Sequence, residues 1–391
     1  MSNSFKTFLK HTAKDFHNQS VNPPIVRAST IIFKSMQDIR KTQDKAKKNP
    51  VGGHFDYGRQ GTSTTHILQQ ILSKLEESYF TFLTPTGFGA VFLSIFSVTR
   101  PGDEIIAADP VYSPTRLLTQ DFLKEFNIKT TFYDPHDLKT LEKGITKKTK
   151  LIFVENPGSN TFDFQDLGKI VSIAKKHKIL TAIDNTWGTP YFLKPIKLGF
   201  DMAIVSATKY YSGHSDVMGG SLAVNKKVFP KVKVTERVTG LRLGPDDAYL
   251  ITRGLRTLDV RLDRHRENAK KVAEFLSKYK NIKLLYPYKK DSYNFRMWKK
   301  YYLGASGLMG LRIKAKSEKA VVKFVNNLKL FGHGYSWGGF ESLALHQNVR
   351  EQGNRNYLKL AKNEYIVRLH IGLEDPEDLI ADIKQALKSF K

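Results

Sequence analysis

Short apolar runs separated by amphipathic helical patterns dominate the middle of the chain. The runs predict buried strands at residues 104–108, 129–133, 151–155, 180–184, 203–206 and 221–224. A helical spacing of apolar residues first appears after Thr65 and recurs between several of the runs, for example over residues 166–177. Buried strands that alternate with helices predict an α/β fold with a mainly parallel sheet covered on both faces.

The pattern changes near Asp246. Ile251, Leu255, Leu258 and Leu262 are spaced by four, three and four residues, which predicts one long amphipathic helix that continues to residue 276. Beyond it, strands are expected at 308–313 and 366–371, and helices at 319–330 and 376–390. We therefore predict an N-terminal arm (1–57), a large α/β domain (58–247) and a smaller C-terminal α+β domain (248–391).

Composition excludes several classes of chemistry. The chain has 391 residues and no cysteine, which excludes disulfides, thiolate catalysis and cysteine-ligated metals. The histidines show no metal-ligand spacing, so no metal is expected. No apolar stretch reaches the roughly 18 to 20 residues of a membrane span, and the charged N-terminus is unlike a secretory signal. We expect a cytoplasmic protein without a membrane partner.

The formal net charge of +26 raises a nucleic-acid-binding alternative. The lysines, however, recur along the chain where solvated helix faces and loops are expected, and no finger or basic-zipper motif accompanies them. The charge pattern therefore favours a lysine-biased surface with weak, salt-sensitive affinity for polyanions and no specific nucleic-acid partner.

Polar residues follow three of the predicted strands. Asn156 follows one strand, Asp184 ends the next, and Ser206, Thr208 and Lys209 follow a third. Ligands in open α/β sheets bind beyond the carboxyl ends of the strands, so these residues predict one site. A lysine there can bind phosphate as a point charge or act as an amine nucleophile.

The segment DMAIVSATKYYSGHS, residues 201–215, resembles the attachment signature of the Cys/Met-metabolism enzymes that use pyridoxal 5′-phosphate (PLP). That family includes cystathionine β- and γ-lyases, cystathionine γ-synthase and methionine γ-lyase. The resemblance extends from about Tyr57 to the C-terminus, although Tyr211 replaces an expected aliphatic residue. It implies the fold type I, aspartate-aminotransferase-like architecture and a homotetramer built from two dimers.

The resemblance also implies a set of cofactor-binding residues. Lys209 matches the Schiff-base lysine, and Asp184 in IDNTW matches the aspartate that pairs with the pyridinium nitrogen. Gly87 and Phe88, in TPTGFG, match residues whose main-chain N–H groups bind the PLP phosphate at a helix N-terminus. The hydroxyl groups of Ser206 and Thr208 match further phosphate ligands.

Three aromatic or basic residues complete the implied cofactor site. Tyr112, in VYSPTR, matches the tyrosine that stacks on the cofactor ring and can assist Lys209 in proton transfer. Tyr57 and Arg59, in YGR, match a motif that reaches the phosphate of the neighbouring subunit, so the arm is expected to contribute to that subunit.

Arg368 in YIVRLHIGLED matches the arginine that binds the substrate α-carboxylate, and Asn156, Ser336 and Trp337 are the other expected substrate contacts. Trp337 resembles the bacterial β-lyase branch, whereas γ-active members tend to carry leucine there. The resemblance thus implies β-elimination of L-cystathionine, an amino-acid substrate, to homocysteine, pyruvate and ammonia in methionine biosynthesis. Lys209 would be the base for the Cα proton.

Two alternatives and one side activity stay open at this point. A γ-active relative would release 2-oxobutyrate instead of pyruvate, and a nucleic-acid-binding protein would hold no PLP. Slow alanine racemisation is predicted if Lys209 and Tyr112 stand on opposite faces of the cofactor ring. The alternative is that Tyr112 only stacks on the ring and Lys209 returns the proton to the face that it left.

Overall fold

Two β-sheets organise the chain in a computed structural model that describes residues 4–13, 19–288, 290, 292–350 and 355–390. The strands are β1 (Phe80–Thr84), β2 (Glu104–Ala108), β3 (Lys129–Tyr133), β4 (Thr149–Glu155), β5 (Leu180–Asp184), β6 (Met202–Ser206), β7 (Gly220–Val224), β8 (Ile282–Leu285), β9 (Leu308–Lys314), β10 (Leu343–Gln347) and β11 (Glu364–His370). The larger sheet has the order β1-β7-β6-β5-β4-β2-β3, and the smaller has the order β10-β11-β9-β8.

The α-helices differ widely in length, and most of them lie between strands in the sequence. They are α1 (Phe5–Lys10), α2 (Met36–Lys48), α3 (Ser63–Glu76), α4 (Gly87–Phe96), α5 (Ser113–Leu117), α6 (Leu138–Gly144), α7 (Leu167–Lys176), α8 (Thr189–Phe192), α9 (Pro195–Leu198), α10 (Phe229–Thr239), α11 (Pro245–Leu255), α12 (Leu258–Leu276), α13 (Tyr293–Tyr301), α14 (Glu318–Asn326) and α15 (Pro376–Ala386). In the described part of the chain, no helix is long and apolar enough to cross a bilayer.

The larger sheet is mainly parallel, as predicted. Strands β3, β2, β4, β5 and β6 run parallel to one another, and β7 is antiparallel to both β6 and β1. Every predicted strand is present to within two residues at each end. The sequence analysis missed β1, β8 and β10, which all lie at sheet edges. Their apolar runs are interrupted by polar residues such as Thr81, Lys283 and His346.

The prediction of one long helix from residue 251 to 276 was wrong. The chain forms α11 and α12 instead, with Arg256 and Thr257 between them. The Arg261 guanidinium donates from Nη2 to the carbonyl of Gly254 at 2.7 Å and from Nη1 to the carbonyl of Tyr210 at 2.8 Å. The Arg261 side chain thus occupies the Gly254 carbonyl, which a continuous helix would bond to a backbone amide. The spacing of the apolar residues does not change across the break, so the spacing does not reveal it.

Helix α12 belongs to two hydrophobic cores. Leu258 and Leu262 are buried with the larger sheet, whereas Val272 and Leu276 are buried with the smaller one. The change between cores falls inside α12, although the predicted domain division lies at residues 247 and 248. In the N-terminal segment, Leu9 of α1 is buried in the larger core, and α2 buries no residue.

Candidate active site

The carboxyl ends of neighbouring strands place acidic and hydroxyl side chains along one edge of the larger sheet. Glu155 ends β4 and is in register with Asp184 at the end of β5. Ser206 ends β6, the next strand in the sheet, and Lys209 follows it by one turn. Parallel pairing therefore brings together residues that are separated in sequence.

Lys209 is the amine at this edge. Its Nζ donates to the Oγ of Ser336 at 2.5 Å and lies 5.5 Å from the ring centroid of Trp337. Burial, reinforced by the positive charge of Arg368, lowers the pKa of Lys209 to about 8, while Asp184 opposes the shift. A lysine with this pKa is partly neutral near physiological pH, which makes it a usable nucleophile and base.

The turn at residues 336–339 joins Lys209 to Arg368. Ser336 has a φ of +82° and Gly338 a φ of +90°. A Cβ at Gly338 would lie 3.0 Å from backbone and Cβ atoms of Lys209, so only glycine fits there without displacement. Arg368 donates from Nη2 to the carbonyl of Ser336 at 3.0 Å. The structure therefore brings Lys209, Ser336, Trp337 and Arg368 to one place.

Asp184 is held by its own turn. Its Oδ1 accepts hydrogen bonds from the Thr186 amide at 2.9 Å and from the Thr186 hydroxyl at 2.6 Å. Burial raises the pKa of Asp184, and the Thr186 bonds and the charge of Lys209 oppose that shift. A buried carboxylate of this kind is suited to a cationic partner.

The N-terminus of α4 lies beside Ser206, at the same edge of the larger sheet. Thr86 caps the helix by accepting from the amide of Gly89 at 2.9 Å. Among the described residues, the amides of Gly87 and Phe88 and the hydroxyl of Ser206 have no hydrogen-bond partner. A Cβ at Gly87 would lie 2.4 Å from the Ser206 Oγ, so the missing side chain keeps this corner open. Free amides at a helix N-terminus favour an anion.

Thr208 differs from Ser206 in its bonding. Its Oγ1 donates to the carbonyl of Gly219 at 3.2 Å and accepts from the amide of the same residue at 3.0 Å. The hydroxyl proton is therefore directed to the protein, and of the two predicted hydroxyl ligands Ser206 has the free donor.

Tyr112 is the N-cap residue of α5 and is 46% exposed. Its amide donates to Oε2 of Glu155 at 2.6 Å. Burial raises the pKa of Tyr112, the carboxylates of Glu155 and Asp184 raise it further, and Arg368 opposes them. The phenol is thus close enough to these three residues to respond to their charges.

The comparisons with known proteins decide the family. The family described as Cys/Met metabolism PLP-dependent enzyme matches residues 6–388. The chain belongs to that family. It is 36% identical over 371 residues to a cystathionine β-lyase of Bordetella avium, covering 94% of this chain and 92% of that protein. It is 35% identical over 376 residues to an L-alanine/L-glutamate racemase of Wolbachia pipientis wMel, again covering 94% and 92%.

A solved structure supports the same assignment. The cystathionine γ-synthase of Xanthomonas oryzae pv. oryzae superposes with a TM-score of 0.90 at 28% identity, over 100% of this chain and 99% of that one. The fold is that of the fold type I PLP enzymes, as predicted, and the family uses PLP. No group of three His, Asp or Glu side chains suited to a metal ion occurs in the residues that the structure describes.

The residues of the site fit PLP. Lys209 offers an amine with a lowered pKa, and Asp184 offers a partly buried carboxylate at the end of the strand that pairs with the strand ending in Ser206. The open corner at Gly87 offers free amides to a phosphate. These groups match an aldehyde, a ring nitrogen and a phosphate respectively.

Three predicted residues lie elsewhere or are otherwise engaged. The Asn156 amide donates to the Tyr302 hydroxyl at 2.8 Å, and its Oδ1 accepts from the Gln165 amide at 2.8 Å. These buried bonds fix Asn156 directly after β4, and its contact with the substrate stays a prediction. Arg59 donates to the carbonyl of Arg237 at 2.9 Å and lies 5.9 Å from the ring of Tyr57. Neither Tyr57 nor Arg59 contacts the Lys209 cluster within the described chain.

Sequence reasoning gave no role to two residues that touch the site. Glu155 ends β4, and its carboxylate accepts from the Tyr112 amide. His370 lies two residues after Arg368, and its Nε2 lies 3.1 Å from the Gly338 amide and from the Gly339 carbonyl. The two-residue period of a strand places Arg368 and His370 on the same face, and that signal could have identified His370.

Proposed function

We propose that this chain is a cystathionine β-lyase, which eliminates homocysteine from L-cystathionine in methionine biosynthesis. The observation that carries the proposal is the placement of the Lys209 amine beside the Trp337 ring and the Arg368 guanidinium. Trp337 is the residue that resembles the β-lyase branch. The 36% identity to the Bordetella avium β-lyase supports the same reaction.

The residues divide the work of binding. Arg368 forms parallel hydrogen bonds to the substrate α-carboxylate, for which its planar guanidinium is suited. Its existing bond to Ser336 fixes the plane of the guanidinium before substrate arrives. The amides of Gly87 and Phe88 and the Ser206 hydroxyl bind the cofactor phosphate. Asp184 keeps the cofactor ring nitrogen protonated.

The proton transfers belong to Lys209. PLP supplies an electron-withdrawing ring that stabilises negative charge at Cα. The neutral Lys209 amine removes the Cα proton, and Ser336 Oγ orients the amine through the 2.5 Å bond. The Cβ–S bond then breaks, and the Lys209 ammonium returns a proton to the leaving sulfur. Homocysteine leaves, and one water converts the remaining three-carbon fragment to pyruvate and ammonia.

The identity of the keto acid tests the reaction. Purified protein with PLP is incubated with L-cystathionine, and the keto acid is identified by chromatography. Pyruvate with homocysteine supports the proposal, whereas 2-oxobutyrate with cysteine would establish a γ-lyase. A protein that forms neither keto acid and takes up no PLP would contradict the proposal and favour the nucleic-acid-binding alternative.

A second, slower activity is alanine racemisation, which the 35% identity to the Wolbachia pipientis racemase favours. Alanine has no β-leaving group, so a Cα anion can only regain a proton. Lys209 and the Tyr112 phenol would supply it on opposite faces. Incubation of L-alanine in D2O, with Cα exchange and D-alanine followed separately, tests this. Exchange without D-alanine would show proton removal by Lys209 alone, and Tyr112→Phe should then change nothing.

The proposal includes a homotetramer in the cytoplasm, in which Tyr57 and Arg59 serve the neighbouring subunit. Both residues are exposed and lie away from the Lys209 cluster of their own chain, which supports such an arrangement. Sedimentation velocity tests the subunit count.

A further inference from the structure

His370 is a buried histidine one strand period beyond Arg368, with 1% of its surface exposed. Both residues lie on the same face of β11 and both bind the turn at residues 336–339. Arg368 binds the carbonyl of Ser336, while His370 Nε2 lies 3.1 Å from both the Gly338 amide and the Gly339 carbonyl and binds one or the other according to its tautomer. One strand therefore holds the turn at both of its ends.

The turn needs such bonds because its backbone is unusual. Ser336 has a positive φ although it carries a side chain, and Gly338 also lies in the left-handed region. Gly338 is pressed against the backbone of Lys209, and the Ser336 Oγ receives the Lys209 amine. A small shift of this turn would therefore change the surroundings of Lys209 and of Arg368 together.

The imidazole can form one hydrogen bond to the turn through Nε2. Burial lowers the pKa of His370 to about 4, the hydrogen bond with Gly339 opposes that shift, and the nearby Arg368 and Lys209 charges act in the same direction as burial. The ring is thus neutral at physiological pH, and its Nε2 either donates to the Gly339 carbonyl or accepts from the Gly338 amide, according to the tautomer. The rings of Tyr210 at 5.9 Å and His265 at 5.1 Å pack around it.

His265 packs beside His370 and is bonded elsewhere. Its Nδ1 donates to the carbonyl of Ile371 at 2.8 Å, which leaves Nε2 as an acceptor. Among the described residues, neither Nε2 of His265 nor Nδ1 of His370 has a partner. No hydrogen bond of His265 within the described chain reaches the turn, so His265 serves as a matched buried control.

We propose that His370 is a positioning residue that holds the Ser336–Gly339 turn against Lys209 and so sets the distance between the amine and the Arg368 guanidinium. The inference rests on the proposed function for its kinetic consequence, but its geometric consequence concerns Lys209 in the cofactor-free protein. Loss of the imidazole Nε2 leaves a buried polar backbone group of Gly338 or Gly339 unpaired, and the turn moves away from Lys209.

The test compares three variants. His370→Leu removes the hydrogen-bonding nitrogen, His370→Gln keeps a side-chain amide that can donate or accept at similar reach, and His265→Leu removes a neighbouring buried imidazole that does not bind the turn. The first readout is the pH midpoint for acetylation of Lys209 in cofactor-free protein, measured by peptide mass spectrometry. The second readout is kcat and KM for L-cystathionine, measured through release of the keto acid that the unsubstituted enzyme forms. The third is Tm.

We expect His370→Leu to move the acetylation midpoint upward from about 8 and to lower kcat/KM roughly tenfold to a hundredfold. His370→Gln should restore most of both, and His265→Leu should lower Tm with little effect on either. Gly338→Ala, which displaces the turn sterically, should reproduce the His370→Leu midpoint even if the leucine variant does not fold.

Two results would overturn the proposal: a wild-type midpoint and kcat/KM in His370→Leu, or equal effects of His370→Leu and His265→Leu. Failure of the proposed function is recognised separately, since unsubstituted protein would then release no keto acid while the acetylation midpoints still report on the turn.

Discussion

The amine of Lys209 and the hydroxyl of Ser336 are joined by a 2.5 Å hydrogen bond, across 127 positions of sequence. Ser336 lies in a turn that is itself bonded to Arg368. The group that moves protons and the group that binds carboxylate are therefore held by one short segment. In the proposed reaction, this segment determines where the Cα–H bond lies relative to the base.

Replacement of Lys209 by alanine should remove both the covalent attachment of PLP and the base. We expect turnover to fall by roughly 10²–10⁴-fold or more, because that is the usual contribution of a positioned acid–base group. Borohydride reduction followed by peptide mapping should label Lys209 in the unsubstituted chain. The matched control is Lys176→Ala, an exposed lysine of α7. Normal turnover in Lys209→Ala would refute the assignment.

Covalent attachment of PLP to cofactor-free protein should depend on pH through Lys209. Burial and then the Arg368 charge lower the pKa of Lys209 to about 8, so the nucleophilic neutral amine predominates above that pH. Stopped-flow absorbance should show a rate that rises about tenfold from pH 7 to 9 and then levels off. Arg368→Met should move the midpoint upward. A rate still climbing steeply at pH 10 would contradict a lowered pKa.

Asp184→Asn should lower the affinity for PLP without lowering the thermal stability of the cofactor-free protein. Burial raises the pKa of Asp184 in the folded state, so its contribution to stability is present below the unfolded pKa and is lost as pH rises through the folded pKa. At pH 7 the asparagine variant should therefore have an equal or higher Tm without PLP. Its affinity for PLP should fall by at least about tenfold, because the ring nitrogen loses its anionic partner. A lower Tm with unchanged PLP affinity would indicate a structural aspartate.

Arg59→Ala should be complemented by a second inactive chain. If Arg59 serves the neighbouring subunit, mixed dimers of Arg59→Ala with Lys209→Ala contain one site with both native residues. We expect activity to return on mixing and to scale with the fraction of hybrids, which native mass spectrometry can count. Hybrids without recovered activity would place Arg59 in its own subunit's site or in none.

Much of the fold was predictable because its strands are buried on both faces. Strand β2 is apolar at four of its five positions and β5 at three of its five, and the bounds of both were identified without error. The break between α11 and α12 was not predictable, because the guanidinium of Arg261 takes a helix carbonyl without disturbing the apolar spacing. Such a side chain–backbone contact depends on the position of Tyr210, which only the folded chain determines.

The candidate site was predictable where the residues carry a motif and less so where they act on the backbone. Lys209, Asp184 and Gly87 lie in recognisable segments at the ends of strands or at the start of a helix. His370 and Glu155 bind main-chain groups of the 336–339 turn and of Tyr112, and a main-chain group has no signature in sequence. Asn156 binds Tyr302 and Gln165, which are 146 and 9 residues away, and the sequence gives no sign of either bond.

Helix α12 has a consequence for how the chain comes apart. Its first turns are buried with one sheet and its last turns with the other, and its Arg261 is bonded to the carbonyl beside Lys209. Neither half can melt while leaving the other with an intact helix. Calorimetry should accordingly show one cooperative transition, and limited proteolysis should yield no long-lived fragment that corresponds to either half alone.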